Sequence, residues 1–212
     1  MTSARWTVLA VVDSRFTGRA GMASPYAYSA SEYAQDSPNR SIVKPDVEQA
    51  ADASSQPHQL AAVDETPWEE HVSVSLRGAY YCAQAAFEPL GARGGTLVMM
   101  TSTAGMQGIA TLPLYSMMKG ALRGFAKGLA REGGPAGVTV NVVSPIAYSP
   151  AMTAAIEADP LMGKGFSRQI PLGRVGDPEN EMGAGVAMLL GPHARYVTGQ
   201  TLGIDGGQFT SQ

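Results

Sequence analysis

The sequence predicts an α/β fold in which a doubly wound, mostly parallel sheet lies between two layers of helices. Short apolar runs at residues 7–13, 97–100 and 138–145 have the composition of strands that are buried on both faces. A segment with helical periodicity, at residues 115–131, follows the second run. The 25 glycines among 212 residues suit the tight turns that join strands to helices.

Composition predicts one globular domain, residues 1–212. The chain is 44% hydrophobic and 16% charged, which is enough apolar content for a sizeable core. A net charge of −3 without a basic cluster argues against nucleic acid or an anionic membrane as a partner. No apolar run approaches the about 18 residues of a membrane span, and no signal peptide is evident. A single cysteine, Cys82, fits a cytoplasmic protein.

Two helices have clear boundary signals. Thr66 as the N-cap and Pro67 in the first helical position predict a helix that continues to about Pro89. The second helix, residues 115–131, is followed by Gly133, Gly134 and Pro135, which stop it. The connection before the first helix is polar, and residues 60–63 are its only candidate strand.

Ser102, Tyr115 and Lys119 predict an acid/base site. Ser102 follows the strand at 97–100 at its carboxyl end, where ligands bind in open α/β sheets. Tyr115 comes thirteen residues later, and Lys119 lies four residues beyond it on the same helix face. An ammonium beside a phenol favours the phenolate and lowers the phenol pKa, while a serine hydroxyl can orient a substrate oxygen. For Y-x-x-x-K alone, the alternative is a helix that merely carries these two side chains. The histidines, at 58, 71 and 193, lack partners at ligand spacing, so no metal site is expected.

This pattern resembles the active site of the short-chain dehydrogenase/reductases, in which a serine follows the fifth strand of a Rossmann-like sheet and Y-x-x-x-K lies in the next helix. Four further segments resemble segments of that family and occur in the same order along the chain. They correspond to the long fourth helix, the sixth strand, the lead into the next helix and the last strand. They are WEEHVSVSLRGAYYCAQAAFEP (68–89), VTVNVVSP (138–145), PLGRVGDPE (171–179) and YVTGQTLGIDGG (196–207). The resemblance extends over about two thirds of the chain.

The resemblance implies an NAD(P)-dependent oxidoreductase that acts on an alcohol or carbonyl group of a small molecule. Tyr115 would be the acid/base and Ser102 would orient the substrate oxygen. Lys119 would lower the tyrosine pKa and contact the nicotinamide ribose. Ser75 stands where the family has an asparagine that holds a water on the proton-relay route to the lysine. The helices at about 68–90 and 115–131 imply a homodimer or homotetramer.

The N-terminal part, residues 1–67, is expected to be a degenerate cofactor half, and residues 68–212 the catalytic half. Residues 7–13 match the family's second strand, with Asp13 where an acid binds both hydroxyls of the adenosine ribose, which favours NAD over NADP. Asp46 stands where the family has an acid near the adenine. On this alignment the first strand and its T-G-x-x-x-G-x-G loop are missing. Two alternatives stay open: residues 7–13 as the first strand, followed by a poor phosphate loop, and both acids as solvent-exposed strand ends.

The segment after residues 138–145 departs from the family in one respect. Where the family has Pro-Gly and a threonine at the nicotinamide, this chain has Pro145 and Ile146, with Ser149 as the nearest hydroxyl. Ile146 therefore carries a side chain where the backbone normally approaches the ring. Residues 151–169 stand at the family's mobile substrate lid, with Gly163 and Gly165 as expected hinges, and the methionines of this segment favour an apolar substrate.

Three functions are compatible with these features. The first is the NAD(P)-dependent oxidoreductase. The second is a cofactor-independent acid/base enzyme, such as an isomerase, dehydratase or cyclase, that retains the Ser-Tyr-Lys set. The third is a non-catalytic remnant or subunit, or a gene whose true start lies upstream of Met1. We place the oxidoreductase first.

Overall fold

A computed structural model describes residues 7–9, 59–148, 153 and 156–210. Its strands are β1 (Thr7–Leu9), β2 (Thr96–Met100), β3 (Thr139–Pro145) and β4 (Thr201–Ile204). Its helices are α1 (Glu65–His71), α2 (Gly78–Arg93), α3 (Ala104–Gln107), α4 (Pro113–Gly133), α5 (Pro160–Arg168) and α6 (Ala184–Leu190). A π-helical segment, Val72–Arg77, joins α1 to α2, and a second, Pro178–Gly183, leads into α6. Short 3-10 turns lie at Leu60–Ala62, Gly134–Ala136 and Pro192–Ala194.

The described strands form one parallel sheet in the order β1-β2-β3-β4. Leu97 pairs with Val140, and Val142 pairs with Thr201. Residues 97–100 and 140–144 are all buried, as expected for central strands of a parallel sheet. Because the strands are parallel, their carboxyl ends all lie at one edge of the sheet.

Helices cover both faces of this sheet, which confirms the three-layer α/β class. One apolar cluster joins α2 and α4 to one face, and a second joins α6 and the segment before it to the other. Alternate residues of a strand point to opposite faces, so Val142 belongs to the first cluster and Val143 to the second. The buried members of the first cluster are Ala83, Ala86, Leu90, Leu97, Met99, Ala126, Ala130, Val138, Val140 and Val142. Among the described residues, no helix is both long enough and apolar enough to cross a bilayer.

The position of β1 differs from the prediction. It pairs directly with β2, with Leu9 opposite Val98. In the classic doubly wound order the neighbour of the fifth strand is the fourth strand, so β1 takes that place rather than the place of the second strand. A buried apolar run predicts a strand, but it does not specify which strand lies beside it. The candidate fourth strand at 60–63 begins instead as a 3-10 turn. Asp13, Asp46 and the segment considered as a phosphate loop lie outside the described residues.

Asp64, and not Thr66, caps the first helix. The side chain of Asp64 accepts a hydrogen bond from the Thr66 backbone N–H at 3.0 Å, so the chain is already helical at Glu65. A carboxylate at this position also interacts favourably with the helix dipole. Pro67 consequently lies in the first turn, where its missing N–H leaves no hydrogen bond unmade.

The loop after β2 is bound tightly to α4. The buried Thr101 hydroxyl donates to the Lys119 carbonyl at 2.7 Å. A Cβ on Gly105 would lie 2.5 Å from the Lys119 carbonyl carbon, so only glycine permits this approach. Arg123 donates from Nη1 to the Gly105 carbonyl at 3.0 Å and from Nε to the Thr201 hydroxyl at 3.3 Å. These contacts fix the carboxyl end of β2 against the helix that follows it.

An ion pair holds the segment between α5 and α6. Both Arg174 guanidinium Nη atoms donate to the two carboxylate oxygens of Glu181, at 2.6 and 2.5 Å. The Asp177 backbone N–H donates to the same carboxylate at 2.8 Å. The hydrogen bonds from Arg174 and from the Asp177 backbone lower the pKa of Glu181 to about 2. The pair is partly exposed to solvent, so salt will weaken it.

We predict that Gly105→Ala destabilises the protein, whereas Gly128→Ala does not. The added methyl group at residue 105 would collide with backbone atoms of α4, and overpacking of this kind costs about 1–3 kcal/mol. Residue 128 is within α4 with no atom within 4 Å of an added Cβ, so alanine there should stabilise by about 0.5–1 kcal/mol. Urea unfolding measures both. Equal effects of the two substitutions would contradict the close approach.

We predict that Glu181→Gln lowers the melting temperature at pH 7 and that this difference disappears in acid. The folded pKa of Glu181 is depressed, so the carboxylate stabilises the folded chain above its unfolded pKa of about 4.5. That stabilisation is lost as pH falls from about 4.5 towards about 2. Thermal melts of both proteins across this range measure the difference. A constant difference at every pH would show that the charge of Glu181 is not responsible.

Candidate active site

Tyr115 and Lys119 lie together in the first turns of α4. Both are buried, with 5% and 3% of their surface exposed. The Lys119 ammonium nitrogen lies 5.5 Å from the centroid of the Tyr115 ring. The four-residue spacing places the two side chains on one face of the helix, as the sequence predicted. A cation at this distance is attracted by the electron-rich face of an aromatic ring.

Ser102 lies at the same edge, directly after β2. The Thr101 backbone N–H donates to the Val143 carbonyl at 2.8 Å, so the parallel pairing continues to the residue before Ser102. The Ser102 Oγ atom accepts a hydrogen bond from the Ala104 N–H at 3.2 Å. Because this bond uses an oxygen lone pair, the hydroxyl proton of Ser102 is available to a bound molecule. The side chain is only partly buried, so a ligand can reach it.

Ser75 is a buried residue in the π-helical segment Val72–Arg77. This segment packs against α4, the helix that carries Lys119. A π-helical turn inside an α-helix often occurs at a functional site, because it re-aims side chains and loosens the backbone hydrogen bonding. The neighbouring His71 is also buried, and its Nδ1 atom lies 2.8 Å from the Pro67 carbonyl oxygen, which indicates a structural role.

Pro145 ends β3 at the same edge of the sheet, and Ile146 follows it directly. The Ile146 N–H donates to the Ile204 carbonyl at 3.0 Å, and the Ile146 carbonyl accepts from the Gly176 N–H at 3.2 Å. The backbone groups of Ile146 therefore hold this edge together. Ser149, the nearest predicted hydroxyl, lies outside the described residues. Gly163 and Gly165, the expected hinges, lie inside α5.

Two polar groups at this edge fit the nicotinamide–ribose half of a dinucleotide. The Lys119 side chain is 3% exposed, and its ammonium nitrogen lies 5.5 Å from the centroid of the Tyr115 ring. The Ser144 hydroxyl is fully buried in β3 and has no hydrogen-bond partner among the described residues. Strand alternation places Ser144 on the sheet face of Val142, which is the face covered by α4. Ribose hydroxyls and an amide supply the acceptors that such donors require.

Sequence reasoning missed the residues that position this site. Thr101, Gly105 and Arg123 have no chemical signature of their own, because each acts through a backbone group brought close by the fold. The T-S-T-A-G run directly after a buried strand was the one available signal.

Within the described ranges, no three His, Cys, Asp or Glu side chains are grouped closely enough to hold a metal ion. Burial raises the pKa of the Cys82 thiol to about 11, so this cysteine is a poor nucleophile at neutral pH.

The comparisons with known proteins agree with this geometry. A family model described as enoyl-(acyl carrier protein) reductase matches residues 39–208. A tropinone reductase homolog of Arabidopsis thaliana is 39% identical over 138 residues, which are 65% of this chain and 51% of the relative. The chain spans about half the length of the curated relatives it matches.

Two solved structures share the fold. A 3-ketoacyl-(acyl-carrier-protein) reductase from Brucella melitensis, complexed with NADH, is 28% identical with a TM-score of 0.64, over 72% of this chain and 62% of the other. A gluconate 5-dehydrogenase from Burkholderia cenocepacia, in complex with NADP and tartrate, is 28% identical with a TM-score of 0.66, over 72% and 60%. The matched residues 39–208 include the strand end and helix that hold Ser102, Tyr115 and Lys119. The chain therefore belongs to the short-chain dehydrogenase/reductase family.

Proposed function

We propose that the protein is an NAD(P)-dependent oxidoreductase that interconverts an alcohol and a carbonyl group of a small molecule. The observation that supports this most directly is the buried Lys119 ammonium beside the buried Tyr115 ring, in the helix after Ser102. The structural relatives named above are reductases and dehydrogenases, two of them in complex with NADH or NADP.

In this proposal the chain's own residues move and stabilise a proton. The phenol of Tyr115 donates its proton to the carbonyl oxygen during reduction and accepts it back during oxidation. The Lys119 ammonium stabilises the phenolate that remains. The Ser102 hydroxyl, oriented by the Ala104 N–H, donates a hydrogen bond to the same substrate oxygen. When bound, a nicotinamide supplies or accepts the hydride. Ser75 holds a water that returns protons towards Lys119.

The residues that would contact the cofactor are further proposals. We propose that Lys119 contacts the hydroxyls of the nicotinamide ribose. Pro145, Ile146 and Ser149 would surround the nicotinamide ring. The preference for NAD that was expected from Asp13 required residues 7–13 to be the second strand, and the pairing of β1 with β2 removes that basis. Asp46 is assigned to the adenine. The relatives include complexes with both NADH and NADP. Residues 1–67 remain our proposed cofactor half and residues 68–212 the catalytic half.

An exposed aromatic surface supports a homodimer or homotetramer. Tyr80 and Tyr81 on α2 are 48% and 36% exposed, and the Tyr80 ring lies 6.4 Å from the Phe125 ring on α4. Aromatic side chains of this kind are enriched at protein interfaces.

Residues 151–169 are proposed as a substrate lid, and a cytoplasmic location stays a prediction.

One observation favours a cofactor-independent acid/base enzyme as a second candidate. Ile146 replaces the glycine expected at the nicotinamide, while Ser102, Tyr115 and Lys119 are all retained. The same three residues can transfer a proton during isomerisation, dehydration or cyclisation without hydride transfer. A non-catalytic subunit is the third possibility, and it requires that these residues have no substrate at all.

We predict that Tyr115→Phe reduces turnover by about 10²–10⁴-fold, which is the usual contribution of general acid/base catalysis. The ring and its packing remain, so the melting temperature should change little. The measurement is NAD(P)H oxidation with a panel of small ketones, followed at 340 nm. Tyr196→Phe is the matched control, because Tyr196 is fully exposed to solvent. Equal activity of Tyr115→Phe and the wild type would remove Tyr115 from the mechanism.

We predict that NAD(H) binds to the wild-type protein at or below millimolar concentration and that Lys119→Met weakens this binding about tenfold. Loss of a charge-assisted hydrogen bond has an effect of this size. Isothermal titration measures both proteins, with NADP(H) alongside and with Lys127→Met, an exposed lysine of α4, as the control. No heat at millimolar cofactor, together with a Tyr115-dependent turnover that needs no cofactor, would establish the second candidate instead.

A further inference from the structure

We infer that the substrate carries a carboxylate or phosphate group, which binds in a cavity between α5 and Tyr148. This inference deepens the proposed function and rests on it, because it assigns the non-reacting end of the substrate. It concerns residues outside the Ser102, Tyr115 and Lys119 set. The residues that form the anion site are Lys164, Ser167 and Arg168.

The cavity is open to solvent and has a volume of about 410 Å³. Tyr148 and Ile156 form part of its wall, and Lys164, Ser167 and Arg168 line it from α5. These three residues have i, i+3 and i+4 spacing, so they lie on one face of the helix. Two cations and a hydroxyl on one helix face present several hydrogen-bond donors to a single oxyanion.

The cations of the cavity have no partner among the residues that the structure describes. Neither Lys164 nor Arg168 forms an ion pair or hydrogen bond with any of them, whereas the nearby Arg174 is paired with Glu181. Asp159 lies before α5, where its carboxylate accepts a hydrogen bond from the Leu161 N–H, and it does not line the cavity. Cations in the last turn of a helix also favour the helix dipole. That effect accounts for Arg168, but it does not account for both cations and Ser167 facing one cavity.

The cavity is connected to the catalytic edge of the sheet. Tyr148 follows the end of β3 by three residues, and its N–H donates to the Gly176 carbonyl at 3.2 Å. The Gly176 N–H donates in turn to the Ile146 carbonyl at 3.2 Å. One wall of the cavity is therefore anchored to the edge at which Ser102 lies. A substrate with an oxyanion at one end and its carbonyl at the other suits this arrangement better than the wholly apolar substrate that the sequence favoured.

Binding of a matched pair of ketones tests the inference. We would titrate 4-oxopentanoate and the uncharged 4-oxopentanamide into the wild-type protein by calorimetry at low ionic strength. The carboxylate should bind about tenfold more tightly than the amide, as expected for charge-assisted hydrogen bonds. Lys164→Gln and Arg168→Gln should each remove most of this preference without changing amide binding. Arg195→Gln is the control, because Arg195 is exposed before β4 at the opposite edge of the sheet.

Each outcome decides the inference. Displacement of 4-oxopentanoate by inorganic phosphate supports a site for either anion, and its absence supports a carboxylate site. Equal binding of the two ketones, no saturable binding up to about 20 mM, or an equal effect of Arg195→Gln overturns it. The titration requires neither cofactor nor turnover. Normal anion preference together with a fully active Tyr115→Phe would therefore refute the proposed mechanism and leave the anion site intact.

Discussion

The close approach of the loop after β2 to helix α4 is the constraint on which the rest of the site depends. Gly105 lies so close to the Lys119 and Gly120 backbones that no side chain fits between them. The Thr101 hydroxyl bonds to the Lys119 carbonyl in a buried position, and Arg123 bonds to the Gly105 carbonyl. A buried hydrogen bond contributes about 1 kcal/mol, so the rigidity comes from several contacts acting on one short loop. The position of Ser102 relative to Tyr115 follows from this rigidity.

The Lys119 side chain is buried beside Tyr115 at the carboxyl edge of the sheet. Removing an ammonium from water is costly, and the nearby tyrosine ring offsets only part of that cost. Ser144 adds a buried hydroxyl without a partner in the described part of the chain. Both groups are donors near the carboxyl ends of β2 and β3. Such donors are stable when water or a ligand supplies acceptors, which accords with a cofactor-binding edge.

The cations around α5 differ in their partners. Arg174 pairs with Glu181 and holds the segment before α6, whereas Lys164 and Arg168 on α5 line the open cavity. In our inference the first cation serves the structure and the other two serve substrate recognition. Tyr115 and Lys119 are buried on α4, whereas Lys164 and Arg168 are exposed on α5.

The sequence by itself determined the fold class and the family, and it predicted the three residues of the acid/base site, because each depends on local patterns. Buried strands, helix periodicity and the spacing of Ser102, Tyr115 and Lys119 are properties of short segments. Only the tertiary structure decided that β1 pairs with β2, that Asp64 caps α1, and that Thr101, Gly105 and Arg123 fix the catalytic loop. It alone brought Lys164 and Arg168 to a common cavity with Tyr148. The strand pairing, the loop contacts and the cavity depend on contacts between residues that are distant in the chain. The choice of cap depends on which of two neighbouring residues the backbone geometry admits. Composition specifies neither.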